Sequence, residues 1–202
     1  HVDAERWNAL LQDPDVLVID TRNTYEIGIG SFDGAISPET QSFREFPAWA
    51  EQHIDPGKHQ RVAMFCTGGI RCEKASAYVR AQGVSSVYQL DGGILQYLED
   101  TDEAQSRWQG ECFVFDQRVS VTPALTQGKY KQCYACRRPL ATADLQSDDF
   151  EHGVSCPHCI GETSEGRRSQ FRERQRQVNL AESAGRRHIG ERQRLPSVER
   201  ND

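Results

Sequence analysis

The sequence predicts an α/β domain, a parallel sheet with helices on both faces, followed by a four-cysteine zinc-ribbon-like segment and a basic C-terminal tail, helical or disordered. Three observations predict it. Short continuous apolar runs, VLVID (16–20) and RVAMF (61–65), alternate with stretches whose apolar positions recur at helical spacing, and strands separated by helices make a parallel sheet covered on both sides. Two CxxC pairs then occupy a stretch otherwise rich in polar and turn residues. Beyond residue 160 the charge balance changes sign.

The chain has 202 residues, enough for one core and an appendage at roughly 100 to 200 residues per domain. The expected division is an α/β domain over 1–110, a cysteine-rich segment over 111–160 and the basic tail over 161–202. Net charge is -6, but residues 1–160 hold 14 Lys and Arg against 23 Asp and Glu, whereas 161–202 hold 10 against 7. An acidic body argues against a footprint for nucleic acid over the whole surface, and a basic extension can still supply phosphate contacts. No stretch approaches the ~18 apolar residues of a membrane span, and no basic-then-apolar leader opens the chain, so a cytoplasmic protein with no membrane partner is expected. Seven cysteines, an odd number with four in CxxC pairs, suit a reducing compartment better than a disulfide framework.

In order along the chain, AERWNALLQ (4–12) reads as a short amphipathic helix and VLVID as a buried strand. TRNTYEIG reads as a loop, GAISP (34–38) as a short strand, and FREFPAWAEQHI as a helix broken or started near Pro47. RVAMF is the second buried strand. EKASAYVRAQG follows as a helix with Ala75, Tyr78 and Val79 on one face and Gly83 as its stop. VYQL (87–90) is a third strand, DGGILQYLE a further helix, and CFVFD one extra strand.

Cys66 directly follows RVAMF, and Thr67, Gly68, Gly69 and Ile70 lead to Arg71 and into the helix. That order places a thiol at the carboxyl edge of the sheet, where ligands bind in open α/β folds, beside unpaired N–H groups and the positive end of a helix. Such a setting favours the nucleophilic thiolate. Glycines let successive N–H groups curl around an anion, and Arg71 adds positive charge. Cys72 has two readings, a resolving thiol for an oxidised or persulfidated Cys66 and a small apolar filler. Asp20, Arg22 and Glu26 read as charges paired beneath the loop.

CTGGIR resembles the six-residue active-site loop of rhodanese domains, with Cys66 matching the family nucleophile; VLVIDTRNTYE and GSFDGAISP are similar to other elements of that domain. Phosphatases of related logic place the arginine one position later, where this chain has Cys72, so the shorter cradle resembles those sized for sulfur. At longer range, CTGGIRCEKAS, LDGGILQYLE, GECFVFDQRV and the later cysteine segment resemble the rhodanese-containing tRNA uridine hydroxylases. That resemblance implies an oxidoreductase that forms 5-hydroxyuridine at wobble uridine 34 with molecular oxygen and the loop cysteine. It also implies a domain ahead of this one, absent here, where the chain opens on His1. Cys66 adding to carbon 6 of uracil would leave electron density at carbon 5, with N–H groups and Arg71 steadying the enolate. No flavin, haem or iron motif is visible. Two other readings stand: sulfur transfer through a Cys66 persulfide, and a non-catalytic module that binds RNA or protein.

Cys133-Tyr-Ala-Cys136 and Cys156-Pro-His-Cys159 have the spacing of a tetrahedral four-thiolate zinc site, each pair a knuckle aiming two sulfurs at one ion. Zinc would be structural there, replacing a missing core; redox dithiols or disulfides are the alternatives. His158 is expected to be a solvent-facing neighbour and Cys112 a core residue. The tail, with RRSQFRERQRQ and AGRRHIG, resembles the hydroxylases' C-terminal stretch and, with the missing domain, is the candidate contact for tRNA.

Overall fold

The computed structural model describes residues 1–185; the end of the expected basic tail, 186–202, lies outside the described residues. The chain divides into two compact units, 1–132 with 138–141, and 133–137 with 142 onward. Residues 111–132, grouped with the cysteine segment on sequence, thus belong to the first unit.

In the first unit, α1 (Ala4–Gln12) starts on Asp3, whose carboxylate accepts the Arg6 N–H, and buries Trp7 and Leu10. β1 (Leu17–Asp20) leads through the short α2 (Thr24–Ile27) to β2 (Gly30–Phe32). A 3-10 turn at Phe43–Glu45 runs into α3 (Phe46–His53), with Pro47 in its first turn, where a missing N–H costs nothing. Then come β3 (Arg61–Phe65), α4 (Ile70–Ala81), β4 (Ser86–Gln89) and α5 (Gly93–Asp100). The sheet is parallel in the order β1-β3-β4, with Leu17 opposite Val62 and Val62 opposite Val87. The α/β class with a parallel sheet is therefore what the chain adopts.

GAISP is not a strand: Ile36 makes a single bridge to Ile19. Gly34 turns with φ of 78°, and Pro38 has no N–H to extend a ladder. Pairing occurs earlier instead, between β2 and β5 (Trp108–Gly110), antiparallel. β6 (Cys112–Phe113) is the strand expected in CFVFD and pairs with β7 (Ser120–Val121). A last ladder joins β8 (Lys131–Gln132) to β9 (Pro139–Leu140).

Two cores flank the sheet. Ala63 and Phe65 join Trp7, Phe32, Leu90, Ile94, Tyr97, Trp108 and Cys112 on one face; Val62, Met64 and Cys66 join Ile19, Phe46, Ala50, Cys72, Ala75 and Val79 on the other. The period-two alternation of a strand sorts them. Phe32 is the hub of the first core, meeting Phe65, Tyr97 and Trp108 edge-on at 4.9, 4.8 and 5.1 Å, pairs that add about 0.5–1.5 kcal/mol each beyond area burial.

In the second unit, α6 (Thr142–Leu145) precedes the second CxxC pair, and α7 (Glu165–Ser183) follows it. Ser164 caps α7 by accepting the Arg167 N–H. No helix among the described residues is long and apolar enough to cross a membrane.

Candidate active site

β3 delivers Cys66 to the carboxyl edge of the sheet, and Gly69, in the left-handed region at φ of 84°, turns the chain directly into α4. The helix therefore begins at Ile70, three residues before the sequence pattern becomes periodic. The loop's carbonyls are taken by the start of α5: Ile94 N–H donates to Cys66 O at 3.0 Å and Leu95 N–H to Thr67 O at 3.1 Å. This contact demands a glycine at 93, since a Cβ there would lie 2.5 Å from Cys66 O and 2.7 Å from Gly69 N, at a φ of 69°. With its carbonyls held away, the loop passes directly into α4, where the Cys72 N–H donates to Gly69 O at 3.0 Å.

The thiol of Cys66 is lowered to about 6. Its largest cause is a hydrogen bond from the Cys72 side chain; burial works against it, and the Cys72 N–H, the Arg71 charge and the Arg71 N–H add to it. Cys72 moves well upward, through the same bond to Cys66 and through burial, and its sulfur also lies 3.6 Å from Thr21 Oγ1. One sulfur of the pair holds the proton and the other is the thiolate. Cys66 is only 2% exposed, so a reactant must reach down to the loop. Of its neighbours, Gly68 and Ile70 are exposed, while Thr67 and Gly69 are buried.

Arg71 is paired with a carboxylate from α2 while its charge still favours the Cys66 thiolate. Its guanidinium clasps both oxygens of Glu26 at 2.7 Å, and Glu26, fully buried, also accepts the Asn23 N–H of its own capping box. Burial opposes the charge on Arg71, and the Glu26 contacts outweigh it and raise its pKa. Asp20 and Arg22 form a second pair, both side chains fully buried at 2.6 Å, with Arg22 reaching Gly30 O and lying 5.1 Å from the Trp108 ring centroid. All three charged residues expected to pair beneath the loop do so. A cavity of about 650 Å³ lined by Ala4, Asn8, Gln12, Thr101 and Arg107 includes no loop residue.

In the second unit Cys133, Cys136, Cys156 and Cys159 bring their four sulfurs within 4.8 Å of one another. The Cys136–Cys156 and Cys156–Cys159 separations are 3.8 and 3.6 Å. These are the edges of a tetrahedron around an ion with bonds of about 2.3 Å, and far beyond a disulfide of about 2.05 Å. The donor set fits one thiophilic metal ion. His158 is exposed and turns to Asp144 at 3.2 Å. The described arginines of α7 are engaged within the unit: Arg172 with Glu151 and Glu165, Arg176 with Glu173, and Arg174 with the carbonyls of Tyr134 and Gly153.

Gly93 and Phe115 escape a reading by sequence alone. The Gly-Gly step between a strand and a helix is the signal for the first. An exposed aromatic closing the apolar run CFVF has no comparable signal.

Residues 3–100 match the family described as Rhodanese-like domain. Among solved structures the chain is similar to the rhodanese-like domain of an Anabaena protein, at 18% identity, 55% of this chain, 78% of that one and a TM-score of 0.42. It is similar to a rhodanese-like domain protein from Staphylococcus aureus at 21% identity, 50% of this chain, 91% of that one and 0.40. A thiosulfate sulfurtransferase from Pseudomonas aeruginosa matches at 19% identity, 49% of this chain and 0.39, the matched part being 18% of that chain. The Cys66 loop at the end of β3 lies within the matched stretch, residues 3–100, which has a rhodanese-like fold.

Proposed function

We propose that the chain is the thiolate-bearing part of a cytoplasmic tRNA-modifying enzyme that hydroxylates uridine 34 to 5-hydroxyuridine through Cys66. The observation that carries this reading over sulfur transfer from thiosulfate is the Arg71–Glu26 clasp. With Glu26 neutralising the guanidinium, the thiolate leaves the loop net negative, a poor host for a dianionic sulfur donor and a tolerant one for the neutral edge of a uracil. The stretches that carry the hydroxylase resemblance also meet at the loop. LDGGILQ supplies Gly93, Ile94 and Leu95 to it, and GECFVFD brings Phe115 to 5.9 Å from the Arg71 guanidinium.

In the proposed step Cys66 Sγ bonds to carbon 6 and the ring's π pair moves to carbon 5 and the carbonyl at carbon 4, where loop N–H groups are the available donors. Carbon 5 bonds to molecular oxygen and, with a proton, becomes a hydroperoxide; loss of the carbon 5 proton and expulsion of Cys66 then restore the ring. The freed Cys66 and Cys72 supply two electrons and two protons that break the O–O bond, leaving one oxygen on carbon 5 as the hydroxyl, releasing the other as water, and forming a disulfide. Uridine, oxygen and two thiols thus give 5-hydroxyuridine, water and a disulfide, which cellular thiols would reduce. Zinc on the four late cysteines has a structural part, since four thiolates leave no open position.

The test is mass spectrometry of 5-hydroxyuridine in tRNA from cells carrying Cys66→Ser, alongside RNA containing 5-fluorouridine as a covalent trap. Loss of the nucleoside and a Cys66-dependent adduct are expected. Undiminished 5-hydroxyuridine in the variant, together with rapid thiocyanate formation from thiosulfate and cyanide by the parent, would replace this reading with sulfur transfer.

A further inference from the structure

The rim of the Cys66 loop holds two large apolar side chains in water, Ile70 at 80% exposure and Phe115 at 67%. Phe115 is not loosely placed. Its ring meets Phe113 edge-on at 5.0 Å and 83°, and Phe113, fully buried, meets Tyr25 in the same way at 5.4 Å and 82°. On its other flank lies the Arg71 guanidinium, 5.9 Å from the ring centroid and fixed in turn by Glu26. A ring held on two sides and left open to solvent beside a nucleophile forgoes the gain of burial until something covers it.

We propose that Phe115 is a stacking platform for a nucleobase of the RNA substrate, the base flanking the one presented to Cys66. The inference rests on the tRNA reading above. A thiolate this deeply set can reach a ring carbon only if the target base leaves its stack, and enzymes that extract a base offset the lost stacking with aromatic faces. The neighbouring guanidinium plane favours the same flat occupant. Because Glu26 neutralises Arg71, the platform offers stacking rather than charge, so its contribution should be nearly independent of salt, unlike a phosphate contact.

The test measures binding of an unmodified anticodon stem-loop RNA to the chain carrying Cys66→Ser, with and without Phe115→Ala or Phe115→Trp. Phe115→Ala should weaken binding about 5- to 100-fold, by the same factor at low and moderate salt. Phe115→Trp should retain binding, with the new indole's emission quenched by RNA. In a Cys66-intact background, an unchanged rate of Cys66 alkylation in Phe115→Ala shows the loop undisturbed. Binding that survives Phe115→Ala within twofold overturns the inference alone, and a change in self-association instead would mark Phe115 as a protein contact. Absence of RNA binding by the parent chain overturns the platform, and defeats the tRNA reading itself where 5-hydroxyuridine also persists in Cys66→Ser cells.

Discussion

Arg71 and Glu26 face each other through two hydrogen bonds of 2.7 Å, 45 residues apart in sequence, and tie the nucleophile's loop to α2. Replacing Glu26 with Gln leaves Arg71 half-paired in a largely enclosed setting. Removing one partner of a buried pair costs about 3–5 kcal/mol, so thermal unfolding should show a fall in Tm of several degrees. The freed charge should also lower the Cys66 pKa further and increase affinity for thiosulfate. Unchanged thiosulfate affinity in a folded Glu26→Gln protein would show that the clasp does not set the charge of the cradle.

Cys66 at about 6 makes reactivity a function of pH with a definite sign. The reactive form is the anion, so alkylation by iodoacetamide should rise through pH 6 and level off above pH 7; at pH 5 roughly a tenth of the plateau rate remains. Cys72→Ala removes the largest cause of the lowered value and should move the curve to higher pH. A midpoint near pH 8.5 in the parent chain would deny the loop its thiolate.

Gly93→Ala places a methyl group 2.5 Å from Cys66 O, against backbone on three sides. It should destabilise the chain by upwards of about 1 kcal/mol and slow Cys66 alkylation at least several-fold, because the loop around Cys66 is held by the start of α5 at that contact. Gly34, whose Cβ would meet nothing within 4 Å, is the control with positive φ and no such contact.

Metal analysis of the purified chain should find one zinc ion per molecule, lost in Cys156→Ser. Arg174 on α7 donates to Tyr134 O and Gly153 O, carbonyls beside the two knuckles. Chelation should therefore raise amide exchange in α7 as well as in 133–159. Full protection after chelation would mean that the unit folds without metal.

Much of the first unit was legible. RVAMF and AERWNALLQ match β3 and α1 residue for residue, since a strand buried on both faces is a continuous apolar run and an amphipathic helix declares its period. The loop cysteine was legible through its position between such a strand and a Gly-Gly step. What escaped depended on long-range packing. β2 and β5 pair through glycines that carry no apolar signal; at Gly30 a Cβ would lie 2.4 Å from Glu111 O. That Arg71 would pair with Glu26 could not be read from charges far apart in the chain.

The alternation along β3 has a consequence for variation at this site. Phe65 faces the aromatic core around Phe32, and Cys66, one step on, faces the side of Cys72. Deleting any single residue of 61–65 would rotate the sulfur half a turn into the hydrophobic interior next to Trp7, so the reading frame of one five-residue strand decides whether the chain has a reactive group at all.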